Sequence, residues 1–233
     1  MIKRWYIHNF RCLENFELPI AGMPSTLLIG GNGTGKSTVG HALSVLQRIA
    51  RGTTRVGDLV KPKDFGRARA DSPMRFELDV ELDGRVYQYV LAFELPVGFR
   101  ELRVLEERFA VDGEPRFTRK NAQVFLGAST EAARFLIDWH VVGLPIVQEA
   151  SEADPVAIFK RWLARMLVFA PEPRRMSGES SVASLEPDRA VANIGEWFTG
   201  LIASSPEAYG TISAHLKDLM SDFKSITNPL TGP

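Results

Sequence analysis

The first fifty residues combine short apolar runs with one long stripe of apolar positions at helical spacing. Residues 2–8 and 14–18 are typical of short antiparallel strands, and the compact apolar run 25–29 predicts a strand covered on both faces. A glycine-rich segment follows at 30–35, and a helix is predicted from about Ser37. Its apolar positions recur at i, i+3 and i+4, which indicates one buried face. They are Val39, Ala42, Leu43, Leu46, Ile49 and Ala50.

The middle of the chain changes to a period of two. After a loop rich in charge, glycine and proline at 53–73, apolar residues alternate with polar ones. Two Asp-Gly pairs, at 83–84 and 112–113, predict tight hairpin turns, because glycine adopts the positive φ that such turns require. This region is therefore interpreted as an antiparallel sheet of about three to five strands.

From residue 128 onward the pattern is mainly helical. One short helix is predicted from apolar positions at helical spacing, namely Ala132, Ala133, Phe135, Leu136 and Trp139. Asp154-Pro155 predicts a helix start, since it combines a capping residue with proline at the first helical position. Two further helices are predicted, from Asp188 and from Ser205-Pro206. The last one is expected to direct a set of apolar residues inward: Tyr209, Ile212, Leu216, Leu219 and Phe223.

Composition narrows the class of protein. The 233 residues are 45% hydrophobic and 24% charged, which is usual for a globular protein. Lysine and arginine number 28, as do aspartate and glutamate; this balance argues against an extended basic arm but leaves room for a local basic patch. The single cysteine, Cys12, cannot form an intrachain disulfide. Without a signal-peptide pattern or a run of the ~20 apolar residues that span a bilayer, we expect a cytoplasmic protein with no membrane contact.

The strongest motif is the sequence Gly-Gly-Asn-Gly-Thr-Gly-Lys-Ser at 30–37, which satisfies G-x-x-x-x-G-K-[ST] between the predicted strand and helix. Glycines let backbone amides converge on phosphate oxygens, and the helix start adds its positive dipole end. Lys36 would contact the β- and γ-phosphates, and the Ser37 hydroxyl would bind Mg²⁺. The predicted nucleotide-binding residues are Asn32, Gly33, Thr34, Gly35, Lys36, Ser37 and Thr38. The alternative is a chance glycine-rich turn without a ligand.

The run IHNFRCLENFEL…STLLIGGNGTGKST resembles the N-terminal lobe of SMC/RecF-type ATPases, in the ABC branch of P-loop proteins. It is most similar to stand-alone AAA-type ATP-binding proteins of bacteria, including relatives of OLD nucleases and of anti-phage defence systems. The resemblance implies an α/β P-loop NTPase head (ABC/SMC-like), seen as its N-terminal lobe, with an inserted antiparallel β-sheet and a C-terminal helical region. The expected segments are a nucleotide-binding core at 1–52, an antiparallel β subdomain at 53–127 and a helical segment at 128–233.

The resemblance also suggests two further site residues. The arginine of the family's Asn-Phe-Arg segment lies near the nucleotide, and Arg11 is the matching position. A surface cation that stabilises the fold is the alternative for Arg11. The family places a glutamine beside Mg²⁺ and water in a loop after the antiparallel sheet, which makes Gln148 a candidate catalytic residue. Gln88 and Gln123 compete for this role, which favours the alternative that Gln148 is an ordinary loop residue.

Three later elements of the family's ATP site have no clear match. The run RMSGES at 175–180 is interpreted as a flexible loop rather than a signature loop, and RFLIDWH at 134–140 lacks the second acid of an Asp-Glu strand. Glu106-Glu107 is interpreted as a salt-bridged strand edge. No switch histidine is recognisable. The chain is therefore expected to stop before the second half of the ATPase domain, in a turn-rich coil at 225–233.

These observations leave two main hypotheses. In the first, the chain binds ATP and Mg²⁺ as part of an ATPase whose ATP-driven homodimeric head association controls DNA processing or a partner nuclease or effector. ATP hydrolysis is then expected of the complete protein. In the second, the chain is a nucleotide-binding regulatory module that does not hydrolyse ATP. A P-loop kinase is a weaker alternative, and a GTPase is disfavoured because no N/T-K-x-D segment is present.

Overall fold

The computed structural model describes residues 1–127 and 133–227. The chain divides into two compact units, Met1–Met166 and Leu167–Pro233. Within the described ranges, every helix is too short or too polar to cross a membrane.

An antiparallel sheet dominates the first unit. The described residues form eight strands in the order β2-β1-β3-β4-β5-β6-β7-β8. The strands are β1 (Ile2–His8), β2 (Phe16–Leu18), β3 (Met74–Leu82), β4 (Arg85–Glu94), β5 (Arg103–Val111), β6 (Glu114–Lys120), β7 (Gln123–Leu126) and β8 (Arg134–Leu136). The sheet is larger than the sequence predicted, because β1 pairs directly with β3 and so joins the N-terminal hairpin to the middle region.

Both Asp-Gly hairpins are confirmed. Asp83 and Gly84 have φ values of 50° and 76°, and Asp112 and Gly113 have values of 52° and 83°, so both turn residues of each hairpin are left-handed. The turns fix the register, and alternate side chains of β3 and β4 point to one face. That face is fully buried and contains Phe76, Leu78, Val80, Tyr89, Leu91 and Phe93.

The described residues of this unit form three helices: α1 (Lys36–Ala50), α2 (Val56–Leu59) and α3 (Pro155–Arg165). Short 3₁₀ turns occupy Pro62–Asp64 and Gly66–Ala68. The predictions for α1 and α3 are confirmed, and the Asp154 carboxylate accepts a hydrogen bond of 2.8 Å from the Val156 amide as the predicted cap. Phe159 of α3 packs against the sheet, with its ring centroid 5.0 Å from that of Phe109.

The second unit holds a 3₁₀ turn (Pro173–Arg175) and two helices, α4 (Ile194–Ser204) and α5 (Ala208–Leu219). Asp188 does not begin a helix as predicted. Its carboxylate instead accepts a hydrogen bond of 2.9 Å from the Ala192 amide, which closes a local turn ahead of α4. The predicted inward face of α5 is wrong, because none of its residues is buried and Leu219 is 81% exposed.

Two predicted elements of the first unit are also wrong. The segment 25–29 forms no strand, and Leu27 and Ile29 are 81% and 87% exposed, because no strand of the described ranges lies beside it. The helix predicted around Phe135 is instead β8, since its backbone pairs with β7. Ala132, part of that prediction, lies outside the described residues, as does the 228–233 part of the predicted terminal coil.

Candidate functional site

The glycine-rich loop reverses the chain and leads directly into α1. Gly33 and Gly35 have φ values of 83° and 100°, in the left-handed region that favours glycine. At Gly35 there is also no space for a side chain, since a Cβ would lie 2.7 Å from Leu13 Cδ2 and 3.1 Å from Cys12 Sγ. The loop is therefore packed tightly against the turn that follows β1.

Backbone amides of the loop are available to an anion. Apart from the hydrogen-bonded turn at 32–33, the amides of residues 32–37 bind no backbone acceptor in the described part of the chain. The N-terminus of α1 has neither a side-chain cap nor an acidic residue in its first turn. Free amides at the positive end of a fifteen-residue helix make a suitable site for phosphate.

Lys36 places its ammonium group against the loop. Its Nζ donates hydrogen bonds of 2.6 Å to the carbonyl oxygens of both Gly30 and Gly31. These acceptors are neutral, and a phosphate oxygen is a stronger partner for an ammonium group. The side chain therefore already lies where a phosphate would find a positive charge.

The hydroxyl residues of the motif differ in their surroundings. Ser37 is exposed in the first turn of α1, so its hydroxyl is free to bind a ligand. The Asn32 side chain, earlier in the loop, is exposed as well. Thr34 donates to the Gly31 carbonyl oxygen at 3.0 Å, which stabilises the turn. Thr38 is buried, with Oγ1 3.5 Å from Cys12 Sγ.

Ser37 fits a magnesium site of the kind that keeps several waters. In the described part of the chain, no group of three or more His, Cys, Asp or Glu side chains could hold a metal. Mg²⁺ bound with a nucleotide needs few protein ligands, because phosphate oxygens and water supply the others. A single exposed hydroxyl beside free amides is compatible with that arrangement.

Arg11 lies in the turn that packs on the loop. Its Nε donates a hydrogen bond of 3.0 Å to Asp64 Oδ1, and its amide donates one of 2.6 Å to the Asp64 carbonyl oxygen. The Arg11 side chain remains 40% exposed, whereas that of Asp64 is only 10% exposed. Asp64 thus fixes one edge of the guanidinium group and leaves its terminal amino groups accessible.

Asn9 shapes the site, although the sequence analysis gave it no role beyond its place in the Asn-Phe-Arg segment. It is buried, with a left-handed φ of 52°. Its Oδ1 accepts from the Gly66 amide at 3.0 Å, and its Nδ2 donates to the carbonyl oxygens of Arg69 and Ser72 at 2.9 and 2.6 Å. These bonds attach the 61–72 segment to the turn beside Gly35. The signals in the sequence were the resemblance and a polar residue at the end of a β-rich run.

Gln148 is not brought to the loop by any recorded contact. It is exposed in the segment between β8 and α3 and makes no hydrogen bond to the described residues. Its competitors lie within strands, Gln88 in β4 and Gln123 in β7. Of the three, Gln148 alone matches the loop position that the resemblance requires.

Glu106 and Glu107, the acidic pair of β5, bind other residues of the fold. Glu106 pairs with Arg75 at 2.7 Å, as the salt-bridge interpretation predicted. Glu107 is fully buried and accepts hydrogen bonds from Tyr89, Gly143 and Leu144. The interpretation as a strand edge is wrong, because β5 pairs with strands on both sides.

Comparison with known proteins supports the assignment of a nucleotide site to the N-terminal part of the chain. The AAA ATPase domain family matches residues 1–88. The OLD nuclease of Thermus scotoductus (strain ATCC 700910 / SA-01) is 44% identical over 46 residues, which are 20% of this chain and 8% of the nuclease. The chain thus matches only a small part of that relative's length. The family match lies in the N-terminal part, and the two findings together show similarity to an OLD-like AAA/ABC-type ATPase.

Proposed function

We propose that this chain binds ATP and Mg²⁺ through residues 30–38 as the phosphate-binding half of an SMC/RecF-like ATPase head. The observation that carries the proposal is the loop itself: apart from the turn at 32–33, its amides bind no backbone acceptor in the described ranges, and Lys36 Nζ lies against it. A triphosphate supplies the concentrated negative charge that such a loop binds.

Each residue of the loop has a distinct role in this proposal. Lys36 neutralises charge on the β- and γ-phosphates, and the exposed Ser37 hydroxyl ligates Mg²⁺. Asn32 lies on the γ-phosphate side, Gly33, Thr34 and Gly35 contribute backbone amides, and Thr38 supports the α-phosphate side. Bound magnesium would offset phosphate charge, and the protein residues would hold the nucleotide in one orientation.

In the complete protein, we propose that ATP binding drives association of two heads and so controls DNA processing or a partner nuclease or effector. The similarity to an OLD nuclease over 46 residues supports this reading. A regulatory module that binds ATP without hydrolysis is the second candidate. It is favoured by Glu106 and Glu107, which are engaged in the fold instead of facing the loop. Gln148 remains the candidate catalytic residue of the first hypothesis.

Binding without turnover is the expected behaviour of residues 1–233. We expect isothermal titration to detect Mg-ATP binding and a phosphate-release assay to give no rate above that of the Lys36→Ala variant. The physical reason is that Asp64 is held by Arg11, and Glu106 and Glu107 by other residues of the fold, so none of these carboxylates is available to activate water. Release by the wild-type chain well above that background would contradict the expectation.

Arg11 is proposed to contact the nucleotide with its free terminal amino groups while Asp64 holds its Nε. Replacing Arg11 by alanine is expected to weaken Mg-ATP binding by about tenfold, since a charged hydrogen bond contributes about 1.5 kcal/mol. Arg69→Ala is the matched control, because Arg69 lies in the adjoining segment but pairs with Glu14. Equal affinities for wild type and Arg11→Ala in the same titration would show that Arg11 acts only in the fold.

A further inference from the structure

A cavity of about 400 Å³ lies on the sheet over β5, β6 and β7. Its lining includes Arg108, Thr118 and Phe125, which stand opposite one another in the two ladders and so form one row across three strands. Lys120, also in the lining, follows Thr118 by two residues along β6 and shares its face. Because Phe117, the residue before Thr118, is fully buried in the core, these four side chains lie on the opposite, polar face of the sheet.

The cavity carries two cations without ion-pair partners. In residues 1–127 and 133–227, no carboxylate lies within 4.0 Å of the charged groups of Arg108 or Lys120. Glu106 stands opposite Lys120 in the ladder, but its carboxylate binds the Arg75 guanidinium at 2.7 Å. Arg108 and Lys120 are diagonal neighbours on adjacent strands, with Cα atoms about 7–8 Å apart. An anion bound between them therefore relieves their mutual repulsion.

The same row supplies an apolar contact and a hydroxyl group. Phe125 is half-buried, so part of its ring is open to a ligand. Thr118, between Arg108 and Phe125, is also half-buried, and its hydroxyl makes no hydrogen bond to the described residues. Neighbouring strands lie about 4.8 Å apart, which separates the backbones of Arg108 and Phe125 by about 10 Å. One or two fused rings that carry an acid group span that distance.

We propose that this cavity binds a small aromatic carboxylate. The Arg108 guanidinium makes a planar two-point contact with the carboxylate, Lys120 adds a second positive charge, and the ligand ring packs against Phe125. The volume is at the lower end of the about 300–1,000 Å³ that is usual for small-molecule sites, which favours one compact ligand over a peptide.

This cavity is separate from the proposed nucleotide site. No described residue of the loop at 30–38 lines it. The inference therefore does not depend on nucleotide binding, and a failure of Mg-ATP to bind would leave it standing.

The test is a ligand-observed NMR titration of the whole chain with 2-naphthoate and, in parallel, with its neutral analogue 2-naphthamide. We expect 2-naphthoate to bind with a Kd of about 1 mM or lower. The amide should bind about tenfold more weakly or worse, because it lacks the charge that Arg108 and Lys120 recognise. This comparison uses the wild-type chain and does not depend on the folding of a variant. Excess Mg-ATP should leave the affinity for 2-naphthoate unchanged.

Two variants remove the two halves of the site. Arg108→Gln should weaken 2-naphthoate binding about tenfold, as expected for a charged hydrogen bond. Phe125→Leu keeps an apolar side chain without the ring and should cost about threefold to tenfold. Arg116→Gln is the matched control and should bind as wild type does, because Arg116 is exposed on the same strand as Thr118 and does not line the cavity. Circular dichroism checks the fold of each variant.

Four results would overturn the proposal. They are no binding of 2-naphthoate below about 10 mM, equal affinity for 2-naphthamide, displacement of 2-naphthoate by Mg-ATP, and a loss in Arg116→Gln as large as that in Arg108→Gln. Inorganic phosphate is the last comparison. If it binds as tightly as 2-naphthoate, the ring contributes nothing and the assignment to an aromatic ligand is wrong.

Discussion

Replacing Lys36 by alanine is expected to lower the affinity for Mg-ATP by more than about 100-fold, because a charge-assisted contact to phosphate contributes up to about 3 kcal/mol. Isothermal titration of wild type and variant measures this directly. The fold should persist, since within the described residues the ammonium group donates hydrogen bonds only to the exposed carbonyl oxygens of Gly30 and Gly31. An unchanged midpoint of thermal unfolding in the variant would verify that the fold persists.

Thr34→Ala is the matched control within the same loop. Its hydroxyl donates one neutral hydrogen bond of 3.0 Å, to the Gly31 carbonyl oxygen, and its proposed contribution to the nucleotide is the backbone amide. Affinity should change by no more than about threefold to fivefold, as expected for one neutral hydrogen bond. Normal binding of Mg-ATP by the Lys36 variant would refute the assignment of the loop as a nucleotide site.

Replacing Glu107 by alanine is expected to lower the free energy of unfolding by about 3–5 kcal/mol, as when one partner of a buried ion pair is removed. Glu107 Oε1 accepts from the Tyr89 hydroxyl at 2.8 Å and the Leu144 amide at 2.7 Å, while Oε2 accepts from the Gly143 amide at 2.7 Å. The Arg119 guanidinium lies 3.8 Å from Oε2. Alanine would leave the Tyr89 hydroxyl and the Gly143 and Leu144 amides without their acceptor, and Arg119 without its counterion.

Arg119 makes the loss more severe because it is also fully buried. It donates hydrogen bonds to the carbonyl oxygens of Asn121, Asp138 and Val141, so the pair ties the 138–144 segment to the sheet. Burial lowers the pKa of Arg119 and raises the pKa of Glu107, which is the direction expected when charged groups leave water. Within the variant, the guanidinium would remain buried without a counterion.

The measurement is urea denaturation followed by circular dichroism, with Glu106→Ala as the control. Glu106 is the neighbouring residue, its side chain is 44% exposed, and it pairs with Arg75. Its removal should cost no more than about 1 kcal/mol, as for other partly exposed pairs. Similar losses for both variants would show that the buried cluster is not a principal stabilising element.

The parts of the fold that the sequence predicted depend on local signals. The hairpin at Asp83-Gly84 follows from the φ that glycine permits, and α3 follows from Asp154 as a cap and Pro155 at the first position. The glycine loop and α1 likewise depend on consecutive residues. Each of these elements is specified within about ten residues of chain, which explains why pattern alone was sufficient.

The failures involve pairing partners that lie outside the segment itself. The apolar run 25–29 has the composition of a strand but no neighbour to pair with in the described ranges, and composition cannot reveal a missing neighbour. The apolar residues around Phe135 have helical spacing, yet this segment pairs with β7 as a strand. The bonds of Asn9 and Arg11 to the 61–72 segment span more than fifty residues, so no local pattern could predict them.

The position of Cys12 has a practical consequence for observing the loop in solution. It is the sole thiol of the sequence, it is exposed, and its sulfur lies against the glycine–threonine side of the loop. A maleimide fluorophore would therefore react at one position without prior mutagenesis. Changes in its emission during a titration would report local rearrangement, and slower labelling in the presence of a ligand would provide an independent footprint.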